Sequence, residues 1–267
     1  RPLLLAVRSV GPTSMPGMLE TVLDVGVGPA TLDGLALRRG DRRFALDVRR
    51  RLCESYATVV LGVPRAAFDA LLGRRDVAAL DESTLELLLV EMRALVEQEV
   101  GEPIPDDPWV QLFGAIGGAL RSWRSPRAAR YRLAQRISDE EGTGVTVQAM
   151  VFGNLGERSG AGVVFSRNPS TGERALYGEW LPAGQGEDVV GGRRTPLALT
   201  TAQVRRGTED RSLERAMPEV FEELRPILDR LEARFGDVVD VEITVEAGRL
   251  WVLQCRSAKR TARAAAR

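Results

Sequence analysis

The sequence predicts an α+β fold, and three observations carry that expectation. Near the C-terminus, residues 240–246 and 250–256 each alternate apolar and polar side chains, as half-buried strands do. Residues 145–179 hold further strand-like runs, broken by the turn-forming stretch Asn168-Pro169-Ser170-Thr171-Gly172. Between about Arg42 and Arg136 the apolar spacing is helical instead.

In chain order, the run Leu3-Leu4-Leu5-Ala6-Val7 reads as a strand buried on both faces. A Gly-, Pro-, Ser- and Thr-rich stretch follows from Ser9 to Met18, and Leu19-Glu20-Thr21-Val22-Leu23 reads as the start of a short helix. Strand, loop and helix start together suit an anion, with Arg8 adding full charge, although neither the P-loop nor the GxGxxG pattern is present. An ordinary βα connection is the plainer reading.

Phe44, Val48, Leu52 and Tyr56 recur at helical spacing, as do Leu85, Leu88, Leu89, Met92, Leu95 and Val96 after the cap signal Asp81-Glu82-Ser83. These stripes read as core, with breaks at Gly62-Val63-Pro64 and around residues 101–105. A second helical stretch runs from Trp109 to about Arg136, interrupted at residues 122–127. Its cluster Arg127, Arg130, Arg132 reads first as a solvated face and second as a phosphate contact. Residues 145–152 and the hairpin of residues 160–179 are strands. The stretch from Gly184 to Gly192 reads as an exposed acidic loop, residues 217–235 as an amphipathic helix, and Lys259-Arg260-Thr261-Ala262-Arg263 as the start of another helix.

Composition narrows the function classes. The chain has 267 residues, with 37 Lys+Arg balanced by 37 Asp+Glu, so nothing global draws it to nucleic acid or an anionic membrane. No apolar run reaches membrane-spanning length. The two cysteines, Cys53 and Cys255, form no CxxC pair and fit a reducing, cytoplasmic interior. No histidine is present. That excludes Ser-His-Asp and Cys-His catalysis, His-ligated zinc, and a phosphohistidine formed on these residues.

The C-terminal hairpin is the candidate site. Pairing its strands across the loop Ala247-Gly248-Arg249 sets Glu242 opposite Gln254 and Asp240 opposite Arg256. One face then gathers two carboxylates, an amide and a guanidinium. Mg²⁺ usually takes one or two carboxylates plus phosphate oxygens, and Arg offers a planar fork to phosphate. The face is therefore either a metal-nucleotide platform or a solvated surface of cross-strand ion pairs.

An ordered set of motifs runs along the chain. It comprises Val7-Arg8-Ser9 with Ser14-Met15-Pro16-Gly17-Met18, then Gln148-Ala149-Met150-Val151-Phe152-Gly153-Asn154. Phe165-Ser166-Arg167-Asn168-Pro169 with Thr171-Gly172-Glu173 follows, then Gln185-Gly186-Glu187-Asp188-Val189-Val190 with Arg194-Thr195-Pro196. Asp240-x-Glu242 and Leu253-Gln254-Cys255-Arg256 with Lys259-Arg260-Thr261 complete it. Each motif alone is weak; their order over nearly the whole chain is specific, and together they resemble the nucleotide-binding part of the pyruvate, phosphate dikinase family.

The resemblance implies an ATP-grasp-like nucleotide-binding domain with an inserted helical subdomain and the N-terminal part of the fold missing. It implies residues 1–41 as a partial N-terminal lobe with the phosphate loop and 42–108 as the helical subdomain. Residues 109–150 return to the first lobe and its adenine-bordering strand, and 151–267 form the C-terminal lobe. In that family ATP and inorganic phosphate react at this region, a histidine on a separate domain is phosphorylated, and AMP and pyrophosphate leave. Pyruvate then becomes phosphoenolpyruvate on a distant barrel domain. Carried over, Arg8, Ser14, Gly17 and Met18 would hold phosphates, while Gln148, Met150 and Val151 would border adenine. Asp240 and Glu242 would place Mg²⁺, with Gln254 and Arg256 beside the nucleotide and Arg8, Glu242 and Arg256 as the catalytic groups.

Three departures touch loop geometry: Val10-Gly11-Pro12 replaces a Gly-Ala pair, Ala183-Gly184 replaces Asn-Ala, and Ala258 replaces a glycine. The family's upstream glycine-rich lysine segment, its phosphohistidine domain and its barrel domain are absent. These residues are thus expected to be a fragment or truncated relative, inactive alone, of an enzyme for which a homodimer is an open expectation. The alternatives are a phosphoenolpyruvate synthase nucleotide domain and a non-catalytic nucleotide-binding remnant.

Overall fold

The computed structural model describes residues 2–13, 15, 17–190 and 194–266. It divides into two compact units, Arg1–Met150 and Val151–Arg267. Each contains helices and one antiparallel sheet, so the α+β class holds.

The first unit is built on three strands, β1 (Leu5–Val10), β2 (Thr21–Val25) and β3 (Gly144–Ala149), in the order β2-β1-β3. β1 is central, and its neighbouring residues Ala6 and Val7, which point to opposite faces, are both buried; Leu3, ahead of it, is exposed. The helix expected at residues 19–23 is not formed. Thr21 and Val22 are β-branched and pair with Arg8 and Val7, and the Ser9 N–H donates to Glu20 O at 3.3 Å. The loop between Val10 and Thr21 therefore joins two antiparallel strands, and no helix dipole stands behind it. A register shift in this pair leaves an extra residue in β2, where Asp24 adopts φ 60°. Asp is among the few residue types that tolerate that conformation.

Helices begin at Pro29, earlier than the spacing suggested: α1 is Pro29–Arg39 and α2 is Arg42–Tyr56. Asp41 caps α2 by accepting from the Phe44 N–H at 2.8 Å. α2 packs against β2, α1 and α4 (Glu82–Val100), and it buries charge as well as apolar surface. Arg50 bonds Asp47 at 2.8 Å and Glu54 at 3.0 Å, and Arg51 bonds Asp47 at 2.9 Å. A π-helical turn, Ala57–Leu61, extends α2 and stops at Gly62, followed by α3 (Arg65–Leu72). Asp81 caps α4 and Gly101 ends it at φ 77°. α5 (Pro108–Ser122) lies on the sheet, and Ser125 caps α6 (Pro126–Gln135).

The second unit holds five strands in the order β6-β5-β4-β7-β8. They are β4 (Gly160–Phe165), β5 (Tyr177–Pro182), β6 (Leu197–Ala198), β7 (Val239–Glu246) and β8 (Arg249–Ser257). The expected hairpin across residues 166–176 is present as β4–β5, with Phe165 opposite Tyr177. The acidic stretch is not an exposed loop. Gly186–Val190 form a short helix, α7, while Gln185 and Asp188 are buried; Gly191 and Gly192 lie outside the described residues. After α8 (Leu213–Ala216), α9 (Pro218–Phe235) packs Val220, Phe221, Leu224 and Leu228 against Val164, Val241, Ile243 and Val245 of the sheet. The last helix, α10 (Ala262–Ala265), is capped by Thr261.

Candidate functional site

In the second unit, β7 and β8 pair with Asp240 opposite Arg256 and Glu242 opposite Gln254. This is the expected pairing, reached by a different route. The turn has two residues, Ala247 and Gly248, both at positive φ (51° and 82°), and Glu246 pairs with Arg249. Such a turn would place Glu242 opposite Leu253. A register shift beyond Ile243 takes up one extra residue of β8 and restores Gln254 to that place.

Because facing residues share a side of the sheet, the register defines the whole face. One row runs Tyr177, Phe165, Asp240, Arg256, and the next runs Glu179, Val163, Glu242, Gln254. A third runs Leu181, Ala161, Thr244, Trp251, whose first three members are buried. Trp251 carries the Arg249 guanidinium over its ring at 4.3 Å. Glu179 was not singled out in the sequence; its place on this face follows from its pairing with Val163.

The polar end of this face is electrostatically tight. Arg256 Nε donates to Asp240 Oδ2 at 2.9 Å, and its Nη2 lies 3.8 Å from Glu242 Oε1. Burial pushes the Asp240 carboxyl above its ordinary value, Arg256 opposes that shift, and Glu242 adds to it. Asp240 Oδ1 is buried and accepts no hydrogen bond. Among the described residues no group of three or more His, Cys, Asp or Glu side chains could hold a metal ion. The pair Asp240 and Glu242 nevertheless fits Mg²⁺, which needs only one or two carboxylates when phosphate oxygens and water complete its shell. The buried Oδ1, which accepts no hydrogen bond, is the observation consistent with that fit.

Nearby in the same unit, the Gly153 N–H donates to Gln185 Oε1 at 3.3 Å, and the Gln185 N–H donates to Asp188 Oδ2 at 2.9 Å. Gln185 Nε2 is buried and donates to nothing. Val151 is half-buried in the segment that opens this unit.

The other candidate residues belong to the first unit. Arg8 on β1 faces Thr146, and Ala6 faces Gln148, so Arg8 and Gln148 share one side of the sheet. β3 ends at Ala149, short of the expected Phe152, although the Met150 N–H still donates to Leu4 O at 2.8 Å. Gly17 stands exposed at φ 68° in the loop ahead of β2. Met18 turns inward against Met15, Trp123 and Ala128 and lines an open hollow with Glu20, Arg127, Arg130 and Tyr131. Ser14 lies outside the described residues. Of the basic cluster, Arg127 pairs with Glu20 at 2.8 Å. Arg132 is no solvated group: it is buried, bonds Asp139 at 2.7 Å and stacks on Trp123 at 4.2 Å.

These features define a class: an α+β protein whose sheet face joins two carboxylates to a guanidinium, a donor set suited to phosphate and a hard cation. Comparison with known proteins supplies the family. Residues 2–221 match the family described as "Pyruvate phosphate dikinase, AMP/ATP-binding domain", and the chain belongs to that family. It is 47% identical over 273 residues to pyruvate, phosphate dikinase of Rhizobium meliloti (strain 1021), covering 99% of this chain and 30% of that protein. It is 44% identical to the chloroplastic pyruvate, phosphate dikinase 1 of Arabidopsis thaliana over 99% of this chain and 27% of that one. Against the chloroplastic enzyme of Flaveria trinervia the identity is 43%, over 100% and 28%. The chain thus spans less than a third of the length of these relatives. Among the described residues no helix is long and apolar enough to cross a membrane.

Proposed function

We propose that this chain is the ATP- and phosphate-binding portion of a pyruvate, phosphate dikinase, organised as an ATP-grasp-like domain. The observation that carries the reading is the Asp240–Arg256 and Glu242–Gln254 pairing, with Asp240 Oδ1 buried and open. The ligand we assign to that face is ATP with Mg²⁺, a reading that the family's AMP/ATP-binding description supports. Asp240 and Glu242 would hold the cation, whose contribution is to neutralise the phosphate oxygens. Arg256 presents a fork to a phosphoryl group, and Gln254 offers an amide beside it. Arg8, Ser14, Gly17 and Met18 would hold phosphates, while Gln148, Met150 and Val151 border the adenine.

Within this reading, residues 1–41 and 109–150 serve the first lobe, 42–108 a helical subdomain, and 151–267 the second lobe. The chemistry is positioning and charge stabilisation, as phosphoryl transfer generally requires. With ATP and inorganic phosphate bound, a phosphoryl group passes to a histidine on another domain, and AMP and pyrophosphate leave. Conversion of pyruvate to phosphoenolpyruvate follows on a barrel domain, in a cytoplasmic enzyme that forms a homodimer.

Calorimetric titration with a non-hydrolysable ATP analogue, with and without Mg²⁺, tests the proposal. Saturable, Mg²⁺-dependent binding that is weakened in Glu242→Gln supports it. Binding that ignores both the cation and the substitution would exclude the β7–β8 face as the site.

A further inference from the structure

The loop between β1 and β2 is tied at both ends to one buried hydroxyl, that of Ser122 at the end of α5. At the outgoing end, Ser9 Oγ lies 3.2 Å from Ser122 Oγ; at the returning end, the Glu20 N–H donates to Ser122 Oγ at 3.3 Å. Ser122 is fixed in turn by donating to Ala119 O at 2.6 Å. Ser9 Oγ also lies within bonding distance of Ala119 O (2.9 Å) and Glu20 O (3.0 Å), so strand, loop end and helix end meet at one point. More than a hundred residues separate Ser122 from the loop in sequence. Beyond that knot, Met15 is buried against Trp123, which follows Ser122 directly, and Ala128 of α6. Thr13 donates to Glu141 at 3.0 Å near the loop's outer end.

We infer that Ser122 is a positioning residue for the phosphate-holding loop. It sets the gap between the two strand ends, and with it the placement of Arg8, which precedes Ser9, and of Gly17 and Met18. Arg127, which reaches the Glu20 side chain, forms an exposed pair that solvent weakens. The hydroxyl of Ser122 is shielded from water, so its bonds hold the loop more firmly. This inference rests on the nucleotide-binding reading given above, and it predicts an effect confined to the phosphate end of the ligand.

Ser122→Ala, Ser122→Thr and wild type are compared for affinity toward Mg²⁺ with the non-hydrolysable ATP analogue, and separately toward adenosine. Ser122→Ala is expected to weaken the analogue roughly five- to tenfold, the size of one lost hydrogen bond. Its adenosine affinity should stay unchanged, and Ser122→Thr, which keeps the hydroxyl, should recover the analogue. Hydrogen exchange at the amides of residues 11–19 should rise in Ser122→Ala while that of α4 does not. Equal loss of both ligands, or no loss of either, would overturn the positioning role and leave the nucleotide reading standing. Failure of wild type to bind the analogue would overturn both. Should Ser122→Ala not fold, Ser9→Ala removes the hydroxyl on the strand side of the same knot and gives the same comparison.

Discussion

Arg256 donates from Nε to one oxygen of Asp240 and leaves the other, buried, without a hydrogen bond. The pair is therefore only half of an arrangement. Desolvation has already been met by the fold, one oxygen is neutralised by the guanidinium, and the second accepts no hydrogen bond from the protein. Replacing Arg256 by Ala should lower stability by about 1–3 kcal/mol, the cost of stranding a buried polar group, and Mg²⁺-dependent nucleotide affinity by about tenfold or more. Arg256→Lys should restore part of the stability but little of the affinity, because an ammonium lacks the planar fork. Chemical denaturation and calorimetric titration of the two variants check both parts.

The same burial sets a pH dependence. The Asp240 carboxyl sits above its ordinary value chiefly through burial. A group whose folded pKa is raised binds protons more readily when folded, so its ionisation costs stability as pH rises through that window. A cation at Oδ1 opposes this cost and competes with the proton. Mg²⁺-dependent affinity should therefore decline on acidification at a pH above the ordinary Asp range of about 4. Asp240→Asn should flatten this part of the profile. Titrations at a series of pH values on wild type and variant give the answer.

Asp47 behaves in the opposite sense. Burial would raise its pKa, but the charges of Arg51 and Arg50 outweigh it and hold the carboxyl well below the usual range. Its stabilisation is thus fully present above the unfolded value near 3.9 and is lost as pH falls through the lower folded value. Asp47→Ala leaves Arg50 and Arg51 with a missing partner inside the first unit and should cost about 3–5 kcal/mol at neutral pH. The variant should also show a shallower loss of stability between about pH 4 and more acid conditions. Thermal melts across that range measure both effects.

Where the sequence was legible, one element carried its own signal. The alternation of residues 240–256 exposed the carboxylate face because polar and apolar residues there answer to two different sides of one sheet. The pairing came out correctly even though a two-residue turn and a register shift replaced the three-residue loop; the two changes cancel by the time Gln254 is reached. The caps Asp81 and Gly101 and the apolar stripe of α4 were equally local. The failures were at sites where distant partners decide. Residues 19–23 became strand because β1 offers them a ladder, and Arg132 became buried because Trp123 and Asp139 surround it. The knot at Ser122 joins residues more than a hundred positions apart, which no local pattern encodes.

Gly153 opens a last test, since its motif borders the segment assigned to adenine. A β-carbon there would stand 2.2 Å from Gly184 O and 2.7 Å from Gly160 O, both backbone atoms that cannot swing aside. Its N–H meanwhile orients Gln185 through Oε1. Gly153→Ala should therefore destabilise the second unit by about 1–3 kcal/mol, as overpacking generally does, and should disturb Gln185. Gly186→Ala is the matched control: its β-carbon meets nothing within 4 Å, and it sits in α7, where alanine is preferred by about 0.5–1 kcal/mol. It should leave stability unchanged or raised. Paired denaturation curves decide the matter, and equal loss in both variants would mean that general glycine replacement, not the close approach at Gly153, sets the cost.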